Sequence, residues 1–286
     1  MEILRASSVA AFMDVAGEFL AEREAEHNLI FGICSSIEAD PNQYIAAPYL
    51  AAALHGDRVV GAAIRTPPWR VVVSMMDHPG AVHRLAEDLS KDVAGGPIPG
   101  AVGPSEAVTH FAEAWRERTG APARLIRHER SFQLTHVIPP RPTTGEMRRA
   151  VQGDRVLVRD WVEAFMNEAL PGGPVQDFEA LADRWVRGIG REAWLWFDGG
   201  RAVSMTGVGG LTPHGIRIGP VYTPPELRGH GYASNLVAGV TQRQLDAGRD
   251  YVFLFTDLAN PTSNKIYQDI GYQRVNDIDE WDFSEG

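Results

Sequence analysis

Arg228-Gly229-His230-Gly231-Tyr232-Ala233 lies between an apolar, strand-like stretch and an amphipathic, helix-like one. The N-terminus of a helix leaves its first backbone N–H groups without intrahelical acceptors and carries the positive end of the helix dipole. Phosphate oxygens satisfy both features. Gly229 and Gly231 remove side chains that would hold an anion away from the backbone, and Arg228 adds a forked, permanently charged donor. The stretch therefore reads as an anion cradle. A P-loop is excluded because no lysine follows these glycines. A dinucleotide-binding turn is disfavoured because Ser234 stands at the third glycine position and Thr223 to Leu227 separate the strand from the glycines.

The residues around the cradle extend this reading. Ala233, Leu236, Val237, Val240 and Leu245 recur at helical spacing, with Gly248 as a stop. Tyr251-Val252-Phe253-Leu254-Phe255 reads as a buried strand. Asn260-Pro261-Thr262-Ser263-Asn264-Lys265-Ile266-Tyr267-Gln268-Asp269-Ile270-Gly271-Tyr272 follows, with Pro261 suited to a helix's first turn and Gly271 to its end.

Arg228 to Ala233 matches R-x-x-G-x-(G/A), and Asn260 to Tyr272 resembles N-x-x-(A/S)-x-x-(L/I)-Y-x-x-x-G-(F/Y). Together, in this order and spacing, they resemble the two signatures of the GNAT N-acyltransferase superfamily. The resemblance covers about residues 145–286, where the expected order is a strand, two helices, antiparallel strands, then strand, helix, strand, helix, strand. Expected elements are a strand over Glu146–Ala150, a helix from Arg155 to Ala169 capped by Asp154 and broken by Leu170-Pro171-Gly172-Gly173-Pro174, and a helix from Phe178 to Ile189. Strands follow at Ala193–Phe197, Ala202–Val208 and Gly215–Tyr222, and a last one at Trp281–Phe283 after an acidic turn over Asp277–Glu280.

The first half reads as a worn copy of the second. Leu54 to Ala63 parallels the hairpin around Asp198-Gly199-Gly200, Arg70–Met75 is a further strand, and Ser105–Thr119, with Ser105 as its cap, is expected to correspond to the coenzyme helix. Ile98 to Pro104 before it carries neither signature. The expected architecture is α/β (α+β): two GNAT-like domains, each a mixed, largely antiparallel central sheet flanked by helices. A degenerate N-terminal domain would span 1–138, a proline-rich linker 139–144, and the N-acetyltransferase domain 145–286.

The resemblance implies acyl-coenzyme A-dependent N-acyl transfer, with acetyl-coenzyme A as co-substrate and an amine as acceptor, by direct attack on the thioester. The alternative is a non-catalytic acyl-coenzyme A-binding or regulatory module. By resemblance, the backbone of Val221 and Thr223 falls beside the pantetheine arm, with Tyr222 between them on the other strand face. Gly229, His230, Gly231, Tyr232, Ala233 and Ser234, with Arg228, form the pyrophosphate loop. Asn260 and Ser263 fall on the pantetheine arm, and Tyr267 falls where the superfamily often places a general acid. Tyr272, Glu226, Asn264 and Lys265 read as core or surface residues. No general base transfers by motif. Asp257 and His214 are candidates, Asp160, Glu163 and Glu168 read as helix surface, and Trp185, Trp194 and Trp196 suit a core better than an acceptor pocket.

Composition bounds the rest. The 286 residues are 44% hydrophobic and carry a formal net charge of −10, which disfavours binding to nucleic acid or anionic membranes. No apolar run approaches a membrane span, and the N-terminal residues do not resemble a signal peptide. The single cysteine, Cys34, is expected in the core and agrees with a reducing cytoplasm. Scattered histidines and one cysteine give no metal-ligand pattern.

Overall fold

The computed structural model describes residues 1–92, 95–169 and 173–284. The chain forms two compact units: Met1–Ser131 with Asp257–Ala259 and Val275–Gly286, and Phe132–Thr256 with Asn260–Arg274.

In the first unit the elements run β1 (Glu2–Arg5), α1 (Val9–Ala21), α2 (Asn28–Ala39), β2 (Tyr49–His55), β3 (Arg58–Arg65), β4 (Val71–Val73), α3 (Gly80–Leu89), β5 (Gly100–Pro104), α4 (Ser105–Thr119) and β6 (Arg124–Leu134). Then follow β7 (Glu146–Arg149), α5 (Arg155–Ala169), α6 (Phe178–Arg187), β8 (Arg191–Asp198), β9 (Arg201–Gly209), β10 (Gly215–Tyr222), α7 (Tyr232–Asp246), β11 (Tyr251–Asp257), α8 (Pro261–Asp269) and β12 (Gln273–Asp282). The two series have the same order of strands and helices, so the duplication suggested by the hairpins extends through every element.

Each unit is a sheet with helices on both faces. In the first, strands lie in the order β1-β2-β3-β4-β5-β12-β6, with β4 and β5 parallel and β12 antiparallel to β5. Side chains on a strand alternate between faces. Leu50 and Ala52 accordingly pack under α1 and α2, while Ala51 and Ala53 pack under α3 and α4. In the second unit the order is β11-β10-β9-β8-β7. Ala193 and Leu195 face α5 and α6, whereas Trp194 and Trp196 face α7 and α8.

Several sequence expectations change. The acidic run Asp277–Glu280 is not a turn but the middle of β12. Its carboxylates are met by basic side chains within the first unit: Arg130 to Asp277 at 2.7 Å, His128 to Asp279 at 2.8 Å, and Arg70 and Arg127 to Glu280 at 3.0 and 3.3 Å. The element order makes α3, not Ser105–Thr119, the counterpart of α7. Its apolar residues Ala81, Val82, Leu85, Ala86 and Leu89 are buried at helical spacing. Residues 100–104 form β5, and Ser105 is the first residue of α4 rather than its cap, which is Pro104. Asp154, immediately before α5, closes a one-turn 3₁₀ helix, accepting from Val151 N–H at 2.8 Å and from both Arg148 Nη atoms. The expected helix to Ile189 stops at Arg187, where Gly188 turns left-handed. Of the expected break over Leu170–Pro174, residues 170–172 lie outside the described residues. Cys34 is buried in the core, where desolvation pushes its thiol up to about 12.

Candidate functional site

After β10 the chain makes a 3₁₀ turn over Pro225–Leu227 and reaches Arg228 in extended conformation. Gly229 has φ of 82° and Gly231, the residue capping α7, has φ of 80°. Glycine adopts such angles without the steric penalty a Cβ brings. Nothing lies within 4 Å of where a Cβ of Gly229 would stand, so this flank of the loop is open. The first backbone bond into the helix is Asn235 N–H to Gly231 O, at 3.1 Å. Among the described residues, no protein acceptor takes the N–H groups of residues 229 to 234. The loop thus presents a run of donors at the positive end of a 15-residue helix.

The side chains of the loop bond to protein. Arg228 donates from Nη2 to Glu168 at 2.7 Å and from Nε to the Thr223 carbonyl at 3.0 Å. The Arg228–Glu168 pair is about half exposed, so it is weak enough to exchange for an arriving anion. The His230 ring stacks on Tyr232 at 5.5 Å, and Tyr232 donates to Asp198 at 2.6 Å. That bond, with a second from Thr144 at 2.9 Å, holds the Asp198 carboxyl below the usual range.

Val221, Tyr222 and Thr223 lead into this loop. Val221 packs with the α7 and α8 layer and Tyr222 with the α5 and α6 layer, the alternation expected of a strand. Thr223 Oγ1 lies 2.9 Å from Ser204 Oγ. Strands β10 and β11 pair in parallel over Gly215–Arg217 and Tyr251–Phe253, while β10 continues to Tyr222 with a register shift against β9 after Ile218. On the Tyr222 side is a cavity of about 530 Å³, lined by Leu157, Trp161, Phe197, Tyr222, Pro224 and Arg201 among others. It does not include the glycine loop, and sequence reasoning missed it because its wall is assembled from three distant segments.

In the second motif Asn260 caps α8, accepting from Ser263 N–H at 3.0 Å. Tyr267 is 8% exposed and packs edge-on against Tyr272 at 6.1 Å. It shares a core cluster with α7, against which Val221 and Tyr232 also pack. Burial pushes its phenol up to about 12, so it stays protonated at neutral pH. Tyr272 is a core residue whose hydroxyl lies 2.8 Å from Thr241 Oγ1. Lys265 pairs with Asp269 at 2.9 Å, Glu226 lies exposed 3.7 Å from Arg201, and Trp185, Trp194 and Trp196 are buried core. Asp257 accepts from Ala259 N–H at 2.7 Å, and His214 accepts through its carbonyl from Asp250 N–H at 2.9 Å.

The counterpart loop of the first unit, before α3, lacks these features. Gly80 N–H is taken by His78 Nδ1 at 3.0 Å, and Asp77 stands in the loop bonded to Arg23 and to Arg58. A carboxylate there opposes anion binding.

Residues 205–281 match the family described as FR47-like protein. No curated protein matches the chain in sequence. Among solved structures, a Drosophila protein is similar with a TM-score of 0.70 at 14% identity, covering 99% of this chain and 98% of its own. A GCN5-related N-acetyltransferase from Sphaerobacter thermophilus gives 0.63 at 18% identity, covering 99% and 96%. A tandem GNAT protein from the clavulanic acid biosynthesis pathway gives 0.61 at 16% identity, covering 100% and 99%. The fold is therefore that of GNAT proteins along the whole chain. Among the described residues, no helix is long and apolar enough to cross a membrane, and no group of three His, Cys, Asp or Glu is placed to hold a metal ion.

Proposed function

We propose that the chain, a member of the GNAT superfamily, is an acyl-coenzyme A-dependent N-acyltransferase that moves an acetyl group from acetyl-coenzyme A to an amine. The observation that carries this reading is the run of N–H groups from 229 to 234, without protein acceptors among the described residues and shaped by two left-handed glycines. Those donors and Arg228 suit a diphosphate. The backbone of Val221 and Thr223 suits the pantetheine arm, with Asn260 and Ser263 beside it. The amine nitrogen bonds to the thioester carbonyl carbon, the carbon–sulfur bond breaks, and Tyr267 gives its phenolic proton to the leaving sulfur. A phenol held near 12 by burial is in the right protonation state for this. The amine's surplus proton passes to solvent or to a base.

The second unit holds the coenzyme on this reading, and the first is a copy that lost it, joined through residues 139–144. The cavity beside Tyr222, with aromatic walls, is the acceptor's place. A formal net charge of −10 supports a small amine rather than nucleic acid or an anionic membrane, and one buried cysteine supports a cytoplasmic setting.

Calorimetric titration with coenzyme A beside ADP and NAD tests the reading, because only coenzyme A gains from the pantetheine arm. Equal affinity for all three would overturn it. Thiol release from acetyl-coenzyme A across a panel of amines then tests transfer. Binding without release would leave a non-catalytic acyl-coenzyme A module.

A further inference from the structure

The carbonyl oxygens of the glycine loop are held from one side. Thr143 Oγ1 donates to the His230 carbonyl at 2.8 Å. Asn235 Nδ2 donates to the Gly231 carbonyl at 2.9 Å and to the Arg141 carbonyl at 3.0 Å. In a trans peptide the C=O of one residue and the N–H of the next lie in one plane and point in opposite directions. Holding the His230 carbonyl toward Thr143 therefore turns the Gly231 N–H away from residues 141–144. Holding the Gly231 carbonyl toward Asn235 turns the Tyr232 N–H the opposite way as well. These are donors that no protein acceptor takes among the described residues.

A second set of bonds closes the arrangement. Asp198 Oδ2 accepts from Thr144 Oγ1 at 2.9 Å and from Tyr232 Oη at 2.6 Å. Tyr232 stacks on His230, and Trp196 Nε1 donates to the Thr144 carbonyl at 2.9 Å. The segment 141–144, read from sequence as a connection between halves, is thus bonded to the loop at the His230 carbonyl, to Asn235 through the Arg141 carbonyl, and through Thr144 to Asp198 and Trp196.

We propose that Thr143 and Asn235 are positioning residues of the diphosphate cradle: by holding the carbonyls of His230 and Gly231, they aim the N–H groups of Gly231 and Tyr232 at the coenzyme. The inference rests on the coenzyme reading given above and adds to it the strap that sets the loop before ligand arrives. Pre-set donors avoid the ordering cost that a free glycine loop would meet on binding.

The test is calorimetric titration of the full chain with coenzyme A and with pantetheine, which lacks the diphosphate, for wild type, Thr143→Val, Thr143→Ser and Asn235→Leu. Thr143→Val should weaken coenzyme A binding about fivefold, the value of one ordinary hydrogen bond. Thr143→Ser, which keeps the hydroxyl, should restore it, and pantetheine affinity should stay within about a factor of two. In turnover, KM for acetyl-coenzyme A should rise by more than kcat falls. Thr143 is half-buried and lies outside every helix and strand, so its variants test the idea even if Asn235→Leu disturbs the helix. Wild type that binds coenzyme A while Thr143→Val binds it equally well would overturn this inference alone. An equal loss for pantetheine would overturn it too, by reducing Thr143 to general stability. Wild type that does not bind coenzyme A would overturn the coenzyme reading, and this inference with it.

Discussion

Replacing Gly231 by alanine isolates backbone conformation from bulk at the loop. A Cβ on Gly231 would stand 3.6 Å from Asn235 Nδ2 and 3.8 Å from Thr143 Cβ, ordinary contact distances, so no clash is introduced. The φ of 80° is the problem, because an L side chain there costs roughly 1–2 kcal/mol. The loop either keeps its shape and carries that strain, or rotates its peptides and loses the N–H alignment. Gly248, at the other end of α7, is the control. Its φ is 89° and nothing lies within 4 Å of its Cβ position, so Gly248→Ala meets the same strain about 25 Å along the helix axis. Urea unfolding should show both variants destabilised by about 1–2 kcal/mol at most. Titration with coenzyme A should show Gly231→Ala weakened by roughly 5- to 30-fold if relaxation dominates, and Gly248→Ala unchanged. Equal coenzyme affinity in the two variants, with Gly231→Ala no less stable than wild type, would refute the reasoning, since neither strain nor misalignment would then have occurred.

Three further outcomes are expected. Tyr267→Phe should lower kcat by about 10²–10⁴ with less effect on KM, and wild-type turnover should show no loss from Tyr267 ionisation until the pH nears 12; an unaltered rate in the variant makes Tyr267 a packing residue. His27 is buried between the Leu20 carbonyl and Met75 N–H, and desolvation lowers it from 6.5 to about 4. Its folded value lies below the unfolded one, so the neutral ring's contribution is whole above pH 6.5 and is lost as pH falls toward 4. Unfolding at pH 5 should then be easier than at pH 7 by about 2 kcal/mol from this group, and His27→Gln should flatten that slope. Glu280→Gln should destabilise the chain by about 1–3 kcal/mol in urea unfolding, because Arg70 and Arg127, 15% and 13% exposed, lose the carboxylate they share.

The parts of the site that were legible were those whose physics is local. Gly229, Gly231 and the helix start at Tyr232 are neighbours in sequence, and a loop of that kind depends on backbone freedom and unpaired N–H groups that those residues carry with them. The Asp198-Gly199-Gly200 turn and the start of α8 at Pro261 were legible for the same reason. Helix α3 was missed although its apolar spacing is plain, because the repeat was aligned one helix too late. The acidic run in β12 was misread because four carboxylates in six residues, from Asp277 to Asp282 with Glu280 and Asp279 between, suit a strand only when arginines stand beside them.

By itself the chain carried the fold class, the repeated hairpin and the glycine loop, since each follows from residue types at short spacing. Tertiary structure decided which distant groups hold that loop and that strand in place. Thr143 and Asp198 act at His230 and Tyr232 across 87 and 34 positions of chain, and Arg70 meets Glu280 across more than two hundred. The energy of such pairs depends on direction and separation in space, which no spacing along the sequence encodes.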